Sequence, residues 1–242
     1  MSRYNWIDGK DFSIKHFYLM DRWLLAMIFK RYEHIKADDL ISHDHTLGML
    51  LHKEPSLVWF ISKKAPEATF GLNDLLSVTK PCEDHIALRE KEIELMEYLE
   101  TDVVYTEPKI MEKMCNYITA WHPKYLHELV NLEDKVVLDL GAGTGRLTFA
   151  ACKDAKMVYA SEPVDQLREH MRDKVKEEGI KNVRVLDGMI LNIPYEDDTF
   201  DVVMSGHVVG DDYDLEIEEM TRVLKNEGMI VICNGDDDIQ RK

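Results

Sequence analysis

The fold of this chain is decided by the stretch KVVLDLGAGTGR, residues 135–146. Val136 to Leu140 form an apolar run that contains one acid, Asp139, and three glycines then follow at alternate positions. Such a run is typical of a buried parallel strand, and the glycines predict a tight turn where a ligand can approach bare backbone. After Arg146 the pattern becomes helical. A strand, a glycine turn and a helix in this order bind nucleotide-like ligands at the carboxyl end of an open α/β sheet.

The spacing of the glycines limits which ligand fits this turn. A dinucleotide-binding turn has the spacing G-x-G-x-x-G, and this chain has Arg146 where the third glycine would stand. The stretch also lacks the G-x-x-x-x-G-K-[S/T] spacing of a phosphate-binding loop. Both common polyphosphate-binding turns are therefore disfavoured.

The composition is that of a globular protein. The 242 residues are 45% hydrophobic and 31% charged, which suits one large domain or one ordinary domain with an extension. No apolar run approaches the roughly 18–20 residues that span a membrane, and the first residues lack a signal-peptide pattern. We therefore expect a cytoplasmic protein without a membrane anchor. The net charge of −16 repels phosphate backbones, so nucleic acid is a disfavoured substrate.

The cysteines and histidines give only weak indications of a metal site. The four cysteines are scattered without a C-x-x-C pair, so we expect reduced thiols. Cys82 and His85 have the spacing of half a zinc site, and His43, His45 and His52 lie close together in sequence. Solvated side chains explain both groups better than a metal, and no metal is predicted.

The first part of the chain is predicted to be mostly helical, and it carries no motif of known chemistry. Apolar residues from Ile14 to Ile35 recur at intervals of three, four and seven, which predicts one amphipathic helix. Two shorter helices are expected between residues 37 and 64, separated at Pro55, and a loop over residues 65–71.

A further long helix is predicted over residues 83–99. Thr106 then has the position of an N-cap, followed by Glu107 and Pro108 in the first turn of a helix that stops near His122. We place a domain boundary near residue 104. This boundary divides the chain into a helical extension, residues 1–104, and a second domain, residues 105–242.

From residue 135 onward, predicted strands alternate with predicted helices. The strands are 136–140, 157–161, 183–186, 200–205 and 229–233, and the helices between the later strands are 164–178 and 215–224. Repeated β-α units of this length give an α/β fold with a doubly wound, mainly parallel sheet and right-handed crossovers.

Two stretches of the sequence resemble the same family. The spacing Asp139-x-Gly141-x-Gly143-x-Gly145 resembles motif I of the class I S-adenosylmethionine-dependent methyltransferases. The stretch DGMILNIPYEDDTFDVV, residues 187–203, is similar to the "D…lPf.d.sFDvV" segment of the small-molecule branch of that family (methyltransferase type 11), which includes enzymes of ubiquinone and menaquinone biosynthesis. The later run RVLKNEG resembles "RVLKPGG" of the same branch, with Asn and Glu in place of Pro and Gly. The resemblance covers roughly residues 105–234.

Acids follow the second and third predicted strands, where such a cofactor would lie. A carboxylate at Glu162 can accept hydrogen bonds from both ribose hydroxyls, and Asp187 is placed to accept one from the adenine amino group. Each acid alone is more often a turn residue or a helix cap. Three successive strand ends with glycines or an acid favour the cofactor.

The resemblance implies S-adenosylmethionine as cofactor, S-adenosylhomocysteine as product, and a set of binding residues. That set is Asp139, Gly141, Ala142, Gly143, Glu162, Pro163, Asp187, Gly188, Met189 and Ser205. It also implies that segments before motif I cover the active site. Nine residues follow the fifth predicted strand, so we expect the last strands of the family fold to be missing from this chain.

We therefore predict methyl transfer to a small molecule, with oxygen or nitrogen favoured over carbon as the acceptor atom. His207, after the fourth strand, is the candidate general base because the near-neutral pKa of histidine suits proton removal, although a loop histidine without a catalytic role explains it equally well. A regulatory or assembly protein that binds S-adenosylmethionine without transferring its methyl group is the alternative. The sequence predicts neither the acceptor nor the oligomeric state.

Overall fold

The computed structural model describes residues 4–82 and 84–233, and the chain divides into two compact units between Met114 and Cys115. The first unit includes the helix Pro108–Met114, and the assignment of residues 1–104 and 105–242 to separate domains stays a prediction. The Glu100 carboxylate accepts hydrogen bonds from the backbone nitrogens of Tyr4 and Trp6, at 2.6 and 3.1 Å. A role for the first part of the chain as a cover stays a prediction.

The first unit is helical. Its α-helices are α1 Arg22–Lys30, α2 Ser42–Lys53, α3 Pro55–Lys64, α4 Thr69–Val78, α5 His85–Tyr98, α6 Glu100–Val103 and α7 Pro108–Met114, with short 3-10 helices at Gly9–Asp11, Ile14–Leu19, Ala37–Asp39, Pro66–Ala68 and Val104–Thr106. Fully buried apolar side chains from several of these helices form its core, including Phe17, Leu24, Leu47, Leu57 and Leu72. The predicted break at Pro55 is confirmed.

Two local predictions for this unit are wrong. The single helix expected from Ile14 to Ile35 is divided because Asp21 caps a new start, accepting a hydrogen bond from the Leu24 nitrogen at 2.9 Å. The loop expected over residues 65–71 contains the start of α4. A Cβ on Gly71 would lie 1.9 Å from the carbonyl oxygen of Phe29, so this glycine permits close helix packing and does not mark a turn.

The Thr106 side chain does not cap the helix that follows it. Its hydroxyl donates back to the carbonyl oxygen of Val103 at 2.7 Å, which closes a 3-10 turn. The helix predicted to stop near His122 is two short helices, since Cys115 is extended with φ −75° and ψ 115°.

The second unit contains the sheet. Its elements in chain order are α8 Asn116–Thr119, α9 Lys124–Leu129, β1 Val136–Leu140, α10 Arg146–Ala151, β2 Met157–Ser161, α11 Asp165–Glu177, β3 Val183–Leu186, β4 Phe200–Ser205, α12 Tyr213–Val223 and β5 Leu224–Ile232. The strand order is β3-β2-β1-β4-β5, and every neighbouring pair is parallel. The predicted doubly wound parallel sheet is therefore confirmed, with its reversal of strand order between β1 and β4. The prediction that the last strands of the family fold are missing concerns residues 234–242, which lie outside the described part.

Apolar layers cover both faces of this sheet. Val137 of β1 belongs to a core that includes Leu147 of α10 and Met171 of α11. Its neighbour Leu138 belongs to the opposite core, which includes Met220 of α12. The central strand is buried on both sides, which is why its sequence is a nearly continuous apolar run.

The described residues contain neither a long, apolar helix able to cross a membrane nor a group of three or more metal-ligating side chains. His43 stacks on the Tyr98 ring, and His52 Nε2 lies 3.0 Å from the carbonyl oxygen of Thr79. The Cys82–His85 pair is not described, because the His85 side chain lies outside the described residues.

Candidate functional site

The turn after β1 is built from glycines in the left-handed region. Gly141, Gly143 and Gly145 have φ of +61°, +59° and +92°. A Cβ on Gly141 would lie 2.2 Å from the Val208 side chain, whereas a Cβ on Gly143 would meet no atom nearer than 4.0 Å. Conformation and not crowding is therefore what favours glycine at 143, and the space beside that residue is open to a ligand.

Glu162 lies directly beside this turn. One carboxylate oxygen accepts from the Gly143 nitrogen at 2.8 Å, and the other accepts from the Val164 nitrogen at 2.9 Å. The side chain is buried, and both bonds join a charged acceptor to a backbone donor. The structure therefore brings together the predicted ribose acid and the predicted cofactor turn, at the ends of β2 and β1.

Asp139 lies behind the turn and not on its open side. Its residue is 1% exposed, and Oδ2 accepts from the Thr148 hydroxyl of α10 at 2.5 Å. Burial raises the pKa of the Asp139 carboxyl to about 7, and the Thr148 bond and the Arg146 charge act against that rise. The carboxyl thus ties β1 to the helix that follows the glycines.

An exposed acid, Asp187, follows β3 and pairs with a buried arginine, Arg168. The Asp187 side chain is 75% exposed and pairs with Arg168 at 3.3 Å. The Arg168 side chain is 9% exposed and also binds Asp165 and the backbone carbonyl oxygen of Glu162. The predicted adenine acceptor therefore lies at the strand end next to Glu162.

The other residues of the predicted set lie around the same strand ends. Ala142 donates to the carbonyl oxygen of Ser161 at 3.1 Å, and the buried Ser205 hydroxyl donates to that of Leu140 at 3.2 Å. A Cβ on Gly188 would lie 2.2 Å from the Ser161 hydroxyl, which is itself buried without a hydrogen-bond partner among the described residues. Pro163 is half-buried, and Met189 is exposed.

His207 occupies the loop between β4 and α12. It has φ of +64°, an unusual conformation for a residue with a side chain, and it is exposed. Its ring centroid lies 5.0 Å from that of Tyr117. The carboxylate of Glu216 holds the same loop by accepting from the nitrogens of Gly210 and Asp212, at 2.6 and 3.2 Å.

Comparison with known proteins identifies this unit. Residues 137–228 match the sequence family described as "Methyltransferase domain". This match assigns residues 137–228 to a methyltransferase domain. Demethylmenaquinone methyltransferase of Lactococcus lactis subsp. lactis is 32% identical over 116 residues, which are 46% of each chain. That of Staphylococcus aureus is 30% identical over 116 residues, which are 46% of this chain and 48% of the relative.

This chain therefore spans about half the length of the curated relatives it matches. A solved structure from Methanococcus maripaludis, described as a candidate S-adenosyl-L-methionine-dependent methyltransferase, superposes with a TM-score of 0.50 at 20% identity. The superposed region is 57% of this chain and 69% of the Methanococcus chain. This likeness supports the methyltransferase fold, and S-adenosylmethionine is the cofactor of such domains.

Two arginines of the methyltransferase domain were missed by the sequence reasoning. Arg146 stacks on Trp121 with 5.1 Å from guanidinium carbon to ring centroid, and it donates to the carbonyl oxygens of Tyr117 and Cys233. The residue that excludes a dinucleotide turn thus links the segment before β1 to the end of β5. The second is Arg168, whose only signal in the sequence is its i,i+3 spacing from Asp165.

Proposed function

We propose that this protein transfers a methyl group from S-adenosylmethionine to a small-molecule acceptor, with oxygen or nitrogen favoured over carbon. One observation carries the proposal: the Glu162 carboxylate is bonded to the glycine turn at Gly143, beside open space. An acid at this place suits the hydroxyls of a ribose, and the spacing of the glycines disfavours a dinucleotide. The sulfonium of this cofactor supplies an already activated methyl group, so positioning and desolvation can provide most of the catalysis.

The proposed binding residues surround these strand ends. The backbone of the turn at Gly141, Ala142 and Gly143 would hold the methionine part, Glu162 the ribose hydroxyls, and Asp187 the adenine amino group, with Pro163, Gly188, Met189 and Ser205 lining the site and Asp139 supporting the turn from behind. The donor set fits the cofactor. Glu162 and Asp187 are acceptors for hydroxyl and amino donors, and the left-handed glycines leave backbone free of Cβ atoms.

His207 is the proposed general base. It is exposed on the loop after β4, and Val208 beside it packs against Gly141 of the turn. An imidazole there can take a proton from an acceptor hydroxyl or amine as the methyl group arrives. The named relatives act on demethylmenaquinone, which favours a small molecule as the acceptor. The net charge of −16 favours it as well, because that charge repels nucleic acid.

Two measurements on the full chain test the proposed function. Calorimetry with S-adenosylhomocysteine should show binding, and incubation with S-adenosylmethionine and a library of metabolites should yield a methylated product. If S-adenosylhomocysteine did not bind, the proposal would be wrong. Binding without turnover of any acceptor would favour the alternative, a protein that uses the cofactor as a regulatory or assembly signal.

We further propose that residues 1–104 form a cover that binds the acceptor. The resemblance places such segments before motif I, and the described residues of this part form helices with a buried core of their own.

A further inference from the structure

We infer that Arg168 is a positioning residue that gives this protein its preference for adenine, by holding the Asp187 carboxylate at the end of β3. The inference rests on the proposed function, because it takes the bound ligand to be S-adenosylmethionine or its product. Arg168 does not itself contact the ligand. It acts through the acid.

One guanidinium joins three elements at this place. Arg168 projects from α11, and its Nη1 donates to the backbone carbonyl oxygen of Glu162 at 2.6 Å and to Asp187 Oδ1 at 3.3 Å. Its Nη2 pairs with Asp165 on its own helix. The end of β2, the end of β3 and the start of α11 are therefore fixed to one rigid, planar group.

The two members of the Arg168–Asp187 pair are not equally constrained. Arg168 is buried and anchored to the Glu162 backbone, which cannot move without β2. Asp187 is 75% exposed, and an exposed carboxylate by itself samples several rotamers. The pair therefore restrains the carboxylate of Asp187, whereas Arg168 is already held by its other contacts. Without the guanidinium charge, Asp187 would also be left near the like-charged Asp165, which shares Arg168 with it.

A restrained carboxylate distinguishes bases by their hydrogen-bond donors. Oδ1 of Asp187 faces Arg168, so the second oxygen remains to accept from a ligand. The 6-amino group of adenine can donate to it, whereas hypoxanthine places a carbonyl oxygen there, and two acceptors repel. Sites that hydrogen-bond a ligand group strongly reject analogues that lack it, provided that the site group cannot turn away.

The test compares two ligands on the full chain by calorimetry, S-adenosylhomocysteine and S-inosylhomocysteine. We expect the wild type to bind the adenine ligand at least about tenfold more tightly. In Arg168→Met this ratio should fall to that of Asp187→Ala, through weaker binding of the adenine ligand and without any loss of affinity for the inosine ligand, whose repulsion by Asp187 is relieved. The double variant should show no further loss of the ratio, because both changes remove the same interaction.

Arg172→Met is the matched control. Arg172 lies one turn later on α11, pairs with Glu169, and donates to the carbonyl oxygen of Val185 in β3 at 3.0 Å. It thus links the same helix to the same strand without touching Asp187, so its loss should leave the ratio unchanged. A fall of equal size in this control would overturn the inference, because it would assign the effect to general loosening of β3.

The remaining outcomes separate the inference from the proposed function. A normal ratio in Arg168→Met together with a lost ratio in Asp187→Ala would overturn the inference alone. A normal ratio in Asp187→Ala would overturn it as well, since Asp187 would then not distinguish adenine from hypoxanthine. If Arg168→Met did not fold, Arg168→Lys would replace it in the test. The lysine ammonium cannot make all the hydrogen bonds of the planar guanidinium, so we expect a ratio between those of the wild type and Asp187→Ala. A wild-type ratio in Arg168→Lys would overturn the inference. Failure of the wild type to bind S-adenosylhomocysteine would overturn the proposed function itself.

Discussion

Glu162 is the side chain on which we expect cofactor affinity to depend most directly. Glu162→Ala should weaken S-adenosylhomocysteine binding by about 1.5–3 kcal/mol, the usual contribution of hydrogen bonds to a charged group. Calorimetry measures the change, and Glu178→Ala, an exposed acid at the end of α11, serves as the control that should bind normally. Unchanged affinity in Glu162→Ala would show that this acid does not hold the ribose.

The buried Asp139 makes stability depend on pH. Its folded pKa of about 7 lies above the ordinary value of 3.8, so the folded state binds this proton more tightly than the unfolded state does. The stabilisation is complete below about pH 4 and is lost as pH rises through 7. Asp139→Asn is neutral throughout and still offers an oxygen to Thr148. We expect the wild type to lose up to about 4 kcal/mol relative to this variant over that range.

Urea unfolding of both proteins at pH 5 and pH 8 measures this difference. Relative to the wild type, the free energy of unfolding of Asp139→Asn should be higher at pH 8 than at pH 5. Parallel pH dependences would mean that the Asp139 carboxyl keeps an ordinary pKa despite its burial.

Single residues were predictable where a local motif places them. The glycines, Glu162 and Asp187 all follow strands, so the strand pattern alone puts them at one edge of the sheet. The roles of Arg168 and Arg146 depend on carbonyl oxygens of other elements, and nothing nearby in sequence reveals those partners. The hydrogen bond from Thr148 of α10 to Asp139 is hidden from the sequence in the same way.

Among the elements, the loop between β4 and α12, residues 206–212, has the most direct bearing on catalysis. If His207 is the base, His207→Asn should lower kcat by the ~10²–10⁴-fold typical of losing a general base, with S-adenosylhomocysteine affinity intact. Asparagine tolerates positive φ, so this variant removes the imidazole without adding backbone strain at φ +64°.

Steady-state kinetics with the acceptor found in the library screen provide the readout. His122→Asn, another exposed-loop histidine of the same unit, is the control and should keep normal kcat. Near-normal turnover in His207→Asn would reduce His207 to a loop residue and leave positioning to explain the rate.

Elements of the second unit were easier to predict than those of the first. Strands buried on both faces give apolar runs that stand out in sequence, and all five strands were found, although β5 begins at Leu224, earlier than expected. In the first unit, the start of α1 depends on a cap at Asp21, inside an unbroken apolar pattern. The start of α4 was hidden because Gly71 resembles a turn residue when its packing partner is unknown.

At the scale of the whole molecule, the two units should separate binding from transfer. A shortened protein beginning at residue 115 retains apolar cores on both faces of the sheet, so we expect it to bind S-adenosylhomocysteine with much of the full affinity. It should lose methyl transfer if the helical part binds the acceptor. Calorimetry and the transfer assay, run on the shortened and full proteins together, check both expectations. Full transfer activity without residues 1–114 would contradict the cover.

The strand order β3-β2-β1-β4-β5 has a consequence for how such a protein can diversify. Because the chain runs outward from β1 and returns to the other side at β4, each half of the sheet is one continuous segment. Nine of the ten residues proposed for the cofactor fall before residue 190, and His207 falls after β4. Mutation or recombination in the later segment can therefore change the loop that carries the proposed base, while the segment that carries nine of the ten proposed cofactor residues stays unchanged.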